Sequence, residues 1–235
     1  MTNEQWAGED KLIAALAEVL RKCSELQVDL MLIGAFAVRA YADRRRLTTD
    51  IDFVATSPSM NTLASIFKSL EYEYYSQTHF GGIQAVKYLG KEKVQLDIAI
   101  DSIRDENSGH EYQVPPESFL TETLVEIEPL QGGTGVMARP LPLADLLACK
   151  LIPGRDQDMA DVITLTVNGL SPDVIGDFQR KVRQTGLNSL VNARLGAMIR
   201  LSDRELQNLL IGYTGGRLTG QECLTLRRVL RQLGN

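Results

Sequence analysis

Two apolar stretches that enclose a glycine and a helix-like stretch constrain the fold more than any other feature of this 235-residue chain. The segment "VDLMLIG" is typical of a buried strand that ends at Gly34, and "AFAVRAYADR" has the composition of a helix. The segment "DIDFVA" is typical of a second buried strand. A strand, a tight turn, a helix and another strand in succession predict a sheet with helices packed against it.

Further apolar patterns extend this arrangement along the chain. Helical spacing predicts helices over residues 9–26 and 60–70. Strand candidates follow in "YEYYSQTHF", "IQAVKYLG", "KVQLDIAID" and "TLVEIEPL". Residues 102–117 are polar and end near two prolines, so we interpret them as a long loop. Because helices and strands alternate first and strands dominate afterwards, the pattern favours a mixed sheet over a doubly wound parallel one.

The periodicity of the chain becomes helical near Pro140. Six stretches between residues 140 and 235 repeat apolar residues at helical spacing, with Ser, Asp or Thr available as caps. We therefore predict an α+β fold. A mixed β-sheet domain with flanking helices spans residues 1–139, and a helical C-terminal domain spans residues 140–235.

Charge is unevenly distributed along the chain. Residues 1–170 hold 15 Lys and Arg against 25 Asp and Glu, whereas residues 171–235 hold 10 against 5, within a net charge of -5. A basic final third is typical of a surface that faces a polyanion, although surface helices are also basic without such a partner.

The composition also bears on location and redox state. No apolar run approaches the roughly 20 residues that a membrane helix needs, and the first residues lack the pattern of a signal peptide. We therefore expect a cytoplasmic protein with no membrane contact. Cys23, Cys149 and Cys223 lie far apart in apolar helical patterns, so we expect buried, reduced thiols.

Asp50 and Asp52 lie on one face of the second strand, because residues two apart in a strand point the same way. Their Cα atoms are expected to be roughly 6 to 7 Å apart. Two carboxylates so placed repel each other unless a cation lies between them. Oxygen ligands without a nearby His or Cys favour Mg²⁺ or Mn²⁺ over zinc. The alternative is that both acids face water at the start of a strand.

A third acid follows from the same alternation in "VQLDIAID". Leu96, Ile98 and Ile100 form the apolar face of this strand and leave Asp97 on the other. If this strand lies beside the strand of Asp50 and Asp52, the three acids can hold two metal ions about 3.5 to 4 Å apart. One ion would activate an attacking oxygen and the other would neutralise nucleotide phosphates.

The turn at Gly34 and Ala35 is the second candidate site. It lies where a strand gives way to a helix, so its backbone N–H groups and the helix N-terminus can face an anion. Glycine permits a close backbone approach that a larger side chain would block. The turn is therefore a candidate binding site for phosphate.

These segments together resemble the nucleotidyltransferase superfamily, in which a strand-ending Gly-Gly or Gly-Ser precedes an Asp-x-Asp strand. The form "RLTTDID" at residues 46–52 is most similar to the AbiEii/AbiGii-type branch, which includes toxins of bacterial toxin-antitoxin systems. The later segment "LPLADLLACKLIPGRDQDMADV" is similar to a helical segment of that branch, in which a lysine precedes an arginine and a D-x-x-D. The likeness covers residues 28–165, approximately.

The resemblance implies a nucleotidyltransferase-like sheet domain and an enzyme that uses a nucleoside triphosphate such as ATP, with Mg²⁺ or Mn²⁺, and releases pyrophosphate. It implies that Asp50, Asp52 and Asp97 are the catalytic metal ligands. It further implies that Asp97 acts as general base towards an acceptor hydroxyl.

The resemblance also implies nucleotide-binding roles for Gly34 and Ala35, whose backbone N–H groups would face phosphate, and for Thr48, whose hydroxyl would orient the turn before the strand. Ala35 departs from the family pattern, which has Gly or Ser second in the turn, and an alanine has no hydroxyl to offer. A degenerate member that binds nucleotide without turnover is therefore an alternative.

Arg46 and Lys150 are implied phosphate partners, Arg by its forked donors and Lys as a point charge. Surface ion pairs are the alternative for both. Asp158 and Asp161 share a helix face and are interpreted equally as caps, ion-pair partners or site residues. We interpret the two arginines at 44 and 45 as solvated.

The acceptor has several candidates. An RNA, such as a tRNA end, suits the basic final third and is favoured. A small antibiotic of aminoglycoside or lincosamide type is the alternative, and a cationic aminoglycoside would favour the acidic part of the chain. The toxin-like branch further implies a protein antitoxin as a partner.

Overall fold

The strand, turn, helix and strand near the start of the chain build one edge of a mixed sheet in the computed structural model, which describes residues 5–76, 78 and 81–234. The helices of this part of the chain are α1 (Glu9–Glu25), α2 (Gly34–Tyr41), α3 (Met60–Ser69), α4 (Leu143–Leu151), α5 (Asp156–Thr166), α6 (Pro172–Gln184), α7 (Asn188–Arg200), α8 (Asp203–Thr214) and α9 (Gly220–Leu233). The strands are β1 (Gln5–Trp6), β2 (Leu30–Leu32), β3 (Asp50–Ala55), β4 (Glu73–Tyr75), β5 (Ile83–Leu89), β6 (Glu92–Ile100), β7 (Ser102–Arg104), β8 (Glu111–Gln113), β9 (Val125–Ile127) and β10 (Val136–Ala138).

The largest sheet has the strand order β2-β3-β6-β5-β4, with the short β1 beside one end of β6. Strand β3 runs parallel to β6, whereas β2 is antiparallel to β3 and β5 is antiparallel to both β4 and β6. The predicted α+β class, with a mixed sheet and a helical C-terminal region, is therefore confirmed.

Apolar side chains fix the register of β3 against β6. Ile51 pairs with Leu96 and Phe53 pairs with Ile98, and all four side chains are fully buried. A slip by one residue would turn them away from the core. The same register points the intervening acids to the opposite face of the sheet.

Residues 102–117, interpreted from the sequence as a long loop, contain a hairpin instead. Strand β7 pairs with β8 and places Ile103 opposite Tyr112, whose side chain is fully buried. Asp105 closes the hairpin loop by accepting hydrogen bonds from the backbone N–H and the hydroxyl of Ser108. Each strand has only three residues, which is too short for a period of two to be recognised in a sequence.

The strand predicted over residues 72–80 is shorter in the structure, where β4 ends at Tyr75. Residues 77, 79 and 80 of that prediction lie outside the described residues. The strand candidate in "TLVEIEPL" is present as β9, and its antiparallel partner β10 was not predicted.

The predicted helical region is present as α4 to α9. The chain enters it along the sheet edge, where the N–H of Leu141 donates to the carbonyl of Leu32 and the N–H of Leu32 donates to the carbonyl of Arg139, both at 2.8 Å. One apolar core runs from the sheet into these helices. The domain boundary after residue 139 stays a prediction.

No helix within the described ranges combines the length and the apolar character needed to cross a membrane. Cys23, Cys149 and Cys223 are buried free thiols, as predicted. Burial raises the pKa of each thiol, which makes all three poor nucleophiles.

A buried polar cluster ties the hairpin to helices α4 and α6. The carboxylate of Asp145 on α4 accepts hydrogen bonds from the hydroxyls of Tyr112, at 2.5 Å, and Ser118, at 2.8 Å. The Nζ of Lys181 on α6 donates to Asp145 at 2.5 Å and to Ser118 at 2.9 Å. All four side chains are buried, so each polar group relies on the others in place of water.

Replacing Lys181 by methionine is expected to lower the free energy of unfolding by about 3 to 5 kcal/mol, because Asp145 would keep a buried charge without its cation. The matched change Arg183→Met, at an exposed position of the same helix, is expected to alter it by no more than about 0.5 kcal/mol. Urea unfolding followed by circular dichroism measures both. Equally small effects would show that Asp145 does not depend on Lys181.

Candidate active site

The parallel pairing of β3 with β6 brings the three predicted acids together. Asp52 lies directly opposite Asp97, and Asp50 lies two residues before Asp52 on the same face. One carboxylate oxygen of each acid lies within 4.8 Å of those of the other two. All three side chains are partly exposed and line the same cavity.

Hydrogen bonds orient two of these carboxylates. The hydroxyl of Thr48 donates to Oδ1 of Asp50 at 2.7 Å. The Nε2 of Gln84 donates to Oδ1 of Asp97 at 3.0 Å, and the Nε2 of Gln95 donates to Oδ2 of Asp97 at 2.9 Å. Gln84 lies on β5 directly opposite Asp97, and Gln95 precedes Asp97 by two residues on β6. Thr48 thus acts on a carboxylate itself, beyond the turn-orienting role implied by the resemblance.

The surroundings of the third carboxylate, that of Asp52, disfavour its charged form. Removal of water by the surrounding protein and repulsion by Asp50 and Asp97 raise the pKa of Asp52 to about 7. Lys150 and Arg46 lower it and offset part of this rise. Without a metal ion, the cluster therefore retains a proton near neutral pH.

Gly34 approaches Asp52 too closely for any side chain to fit. It opens α2 with a φ of +65°, in the left-handed region that favours glycine. A Cβ added at Gly34 would collide with the carboxylate of Asp52. The N–H of Ile33 donates to the carbonyl of Asp52 at 2.9 Å and holds the two segments together. The N-terminus of α2 therefore adjoins the acids.

Ala35 is the second residue of α2, and its methyl group is buried. The N–H groups of a first helical turn have no acceptor within the helix. The backbone of Ala35, and not its side chain, is therefore what this residue can offer to an anion. Its nucleotide-binding role stays a prediction.

Arg46 and Lys150 share one carboxylate beside the cavity. Arg46 donates from Nε and Nη2 to the two oxygens of Asp161, at 3.0 and 3.3 Å, and Nζ of Lys150 lies 2.8 Å from Oδ2 of Asp161. Lys150 and Asp161 are buried. Both cations are thus in ion pairs, which are largely buried and not on the surface, and both also line the cavity.

Arg155 extends this network through a second buried acid. Its Nε lies 2.7 Å from Oδ2 of Asp158, and Nζ of Lys150 lies 3.5 Å from Oδ1 of the same residue. Arg155 also lines the cavity, and its side chain is 53% exposed. The network holds three cations against two carboxylates, so it presents net positive charge beside the three acids of the strands.

Arg44 and Arg45, interpreted from the sequence as solvated, are instead held by distant partners. Arg44 donates to Oε1 of Glu222 at 2.6 Å, and Arg45 donates to Oε2 of Glu128 at 2.9 Å. Both partners are far away in the sequence, so no local pattern could reveal them.

The acids, the glycine turn and the three cations line one cavity of about 610 Å³. Its remaining walls include the tip of the β7–β8 hairpin, with Arg104 and Asn107, and the ring of Tyr213 on α8. No sequence motif marked either wall. The hairpin was missed as a whole, and Tyr213 lies in an ordinary amphipathic helix.

The acid cluster fits a divalent cation. Mg²⁺ and Mn²⁺ prefer carboxylate oxygens, and a cation between the acids would relieve the repulsion that raises the pKa of Asp52. Across the described ranges, this is the one group of three or more His, Cys, Asp or Glu side chains that is close enough to hold a metal ion.

Two neighbouring strands that bring three carboxylates beside a glycine-led helix N-terminus form the arrangement expected of an enzyme that handles phosphate groups with a metal. Residues 12–128 match the model of a family described as "Nucleotidyl transferase of unknown function (DUF2204)". The matched segment includes Gly34 and all three acids. The finer assignment to the AbiEii-type branch stays a prediction.

Two solved structures resemble the chain over most of its length. The antibiotic-resistance factor ANT(2'')-Ia is 17% identical, with a TM-score of 0.42, over 81% of this chain and 92% of that one. The protein JHP933 from Helicobacter pylori is 12% identical, with a TM-score of 0.43, over 96% of this chain and 90% of that one. A search of curated proteins found no match.

The raised pKa of Asp52 predicts a pH-dependent stability in the metal-free protein. The folded state holds a proton on Asp52 up to pH 7, approximately, whereas the unfolded chain loses it near pH 4. The folded state therefore binds more protons over this range, and the free energy of unfolding falls as pH rises. Asp52→Asn lacks this proton, so its stability relative to the wild type should rise from pH 4 to 7 by on the order of a few kcal/mol.

The measurement is urea unfolding of both proteins in the presence of EDTA at each pH. A difference in stability between the two proteins that stays constant from pH 4 to pH 7 would contradict the raised pKa.

Proposed function

We propose that the protein is a metal-dependent nucleotidyltransferase that moves a nucleoside monophosphate from a nucleoside triphosphate to an acceptor hydroxyl. The convergence of Asp50, Asp52 and Asp97 beside the Gly34 turn carries this proposal. The family of residues 12–128 supports it.

The acids divide the chemical work. Asp50 and Asp52 would hold Mg²⁺ or Mn²⁺, which would supply positive charge for the phosphates and for deprotonation of the acceptor hydroxyl. Asp97 takes the proton of the acceptor hydroxyl while that oxygen bonds to the α-phosphorus. The bond from the α-phosphorus to the bridging oxygen breaks, and pyrophosphate leaves with its electron pair. The two glutamine amides keep Asp97 oriented for this proton transfer.

Backbone N–H groups and cationic side chains of the protein stabilise the negative charge on the leaving pyrophosphate. The backbone N–H groups of Gly34 and Ala35 lie at a helix N-terminus, which attracts phosphate. Arg46, Lys150 and Arg155 contribute cationic donors from another wall of the cavity. Buried Asp158 and Asp161 hold these cations in place before a substrate binds.

Incubation with radiolabelled nucleoside triphosphates, Mg²⁺ and total RNA tests the proposal. The wild type and the control Asp173→Asn, changed at an exposed residue of α6, are expected to transfer label. Asp52→Asn is expected to be slower by about 100-fold or more, because one ligand of the metal is weakened. Equal signals from all three proteins, or none from any at high protein concentration, would refute a catalytic role.

An RNA end is the acceptor that we favour. Arg200, Arg204, Arg228 and Arg231 in the helical region are exposed, and guanidinium groups neutralise backbone phosphates. The small-molecule alternative of antibiotic type would need no such surface.

An RNA acceptor predicts a strong dependence on salt. If three or more phosphates are contacted, transfer at subsaturating RNA should fall by at least about tenfold between 50 and 200 mM salt. The double change Arg228→Gln and Arg231→Gln should make this dependence shallower, whereas Arg21→Gln, at an exposed residue of α1, should not. Transfer to an aminoglycoside with little salt dependence would favour the antibiotic alternative.

The toxin role and the protein antitoxin rest on the resemblance alone. If RNA is the acceptor, modification of an RNA that growth requires would explain such toxicity. A degenerate protein that binds nucleotide without turnover is the outcome if binding is found and transfer is not.

A further inference from the structure

A second concavity, which we call the helical groove, lies among α5, α7 and α8. Its volume is about 470 Å³. Met159, Leu201 and Leu209 supply apolar walls, and the carboxylates of Asp156 and Glu205 lie among the polar lining. No Lys or Arg is found among the described residues that line the groove.

Tyr213 joins the helical groove to the catalytic cavity. Among the described residues, Tyr213 is the one that lines both concavities; its side chain lies in the last turn of α8 and is 39% exposed. Arg155 and Asp156 provide a second connection, since the first lines the cavity and the second lines the groove. A ligand that occupies the cavity can therefore extend past the ring of Tyr213 into the groove.

The charges of the two concavities select different parts of one ligand. Phosphate groups are attracted by Arg46, Lys150 and Arg155 on one wall of the cavity, whereas the described residues that line the groove include no cation to attract them. The apolar walls and an aromatic ring suit a flat, uncharged ring system, because bases of nucleotides stack on aromatic side chains. Oε2 of Glu205 accepts hydrogen bonds from the backbone N–H and the hydroxyl of Ser202. The carboxylate of Asp156 and Oε1 of Glu205 remain to accept a hydrogen bond from a ring that carries an amino group.

Packing places the groove on the side of the acids where the nucleoside triphosphate, the donor of the transferred group, would bind. Helix α5 packs against both α8 and α2, and the N-terminus of α2 carries the Gly34 turn. The hairpin that continues from β6, the strand of Asp97, forms another wall of the cavity. The acceptor hydroxyl must approach Asp97, which leaves the groove for the donor.

We propose that the helical groove binds the nucleobase of the nucleoside triphosphate, with Tyr213 stacked on the base. This assignment rests on the proposed function and adds the site that distinguishes a nucleotide from a bare polyphosphate. A base with an exocyclic amino group, as in ATP, CTP or GTP, is preferred over that of UTP.

Calorimetric titration with Mg²⁺ and no acceptor tests this assignment. The probes are the four nucleoside triphosphates and inorganic tripolyphosphate, which has no base. The variants are Tyr213→Ala, Tyr213→Phe and the control Ile211→Ala, which removes a side chain of similar exposure from the same helix. Tyr213→Ala should weaken the tightest nucleotide about 5- to 150-fold, the range expected for loss of one stacked base.

Three further results are expected. Tyr213→Phe should restore nucleotide affinity, Ile211→Ala should leave it unchanged, and tripolyphosphate should bind all four proteins equally well. A wild type that binds nucleotides no more tightly than tripolyphosphate would overturn the base site, as would a Tyr213→Ala protein that loses no nucleotide affinity or weakens both ligand types equally. These failures leave the proposed function standing, whereas a wild type that binds neither nucleotides nor tripolyphosphate refutes the proposed function itself.

Discussion

The pairing of β3 with β6 places like charges where the surrounding fold must neutralise them. This register sets Asp52 against Asp97, with Asp50 on the same face. Repulsion between carboxylates so close together is strong away from bulk water. This repulsion is one cause of the raised pKa of Asp52. The hydroxyl and amide donors, the glycine that admits a helix N-terminus and the nearby cations all reduce this repulsion. None of them lies between the acids, and a divalent cation is the group that would.

In the proposed function, the network of Asp158 and Asp161 contributes more to the site than to stability. Buried ion pairs recover little net free energy after desolvation, so their value lies in holding cations at fixed positions. One carboxylate, that of Asp161, is shared by Arg46 and Lys150. An ammonium has three donors and a guanidinium has five, so each cation keeps donors for a phosphate after binding its acid. In the proposed function, the cations would therefore be oriented before a substrate arrives, which lowers the entropic cost of binding it.

Local patterns predicted much of this site, and distant contacts supplied the rest. The period of two residues in a strand predicts that Asp50 and Asp52 share a face. The same period predicts which face of its strand Asp97 occupies. The contact between Gly34 and Asp52 does not, because it depends on how α2 packs against the start of β3. The partners of Arg44 and Arg45 lie beyond any local window, and strands as short as β7 and β8 leave no period to detect. Tyr213 could be placed at the cavity only by the packing of α8 on α5.

In the proposed function, chemistry and selectivity come from different segments of the chain. Residues 12–128, the segment that matches the family, contain the three acids and the glycine turn. Lys150 and Tyr213 come later, in helices that reach the same cavity, and Arg155 precedes the first residue of such a helix. The loop before β3 is bound to that later part by Arg44 and Arg46, through Glu222 and Asp161. A relative can therefore keep the acids and the turn while its later helices change, and the donor or acceptor would change with them.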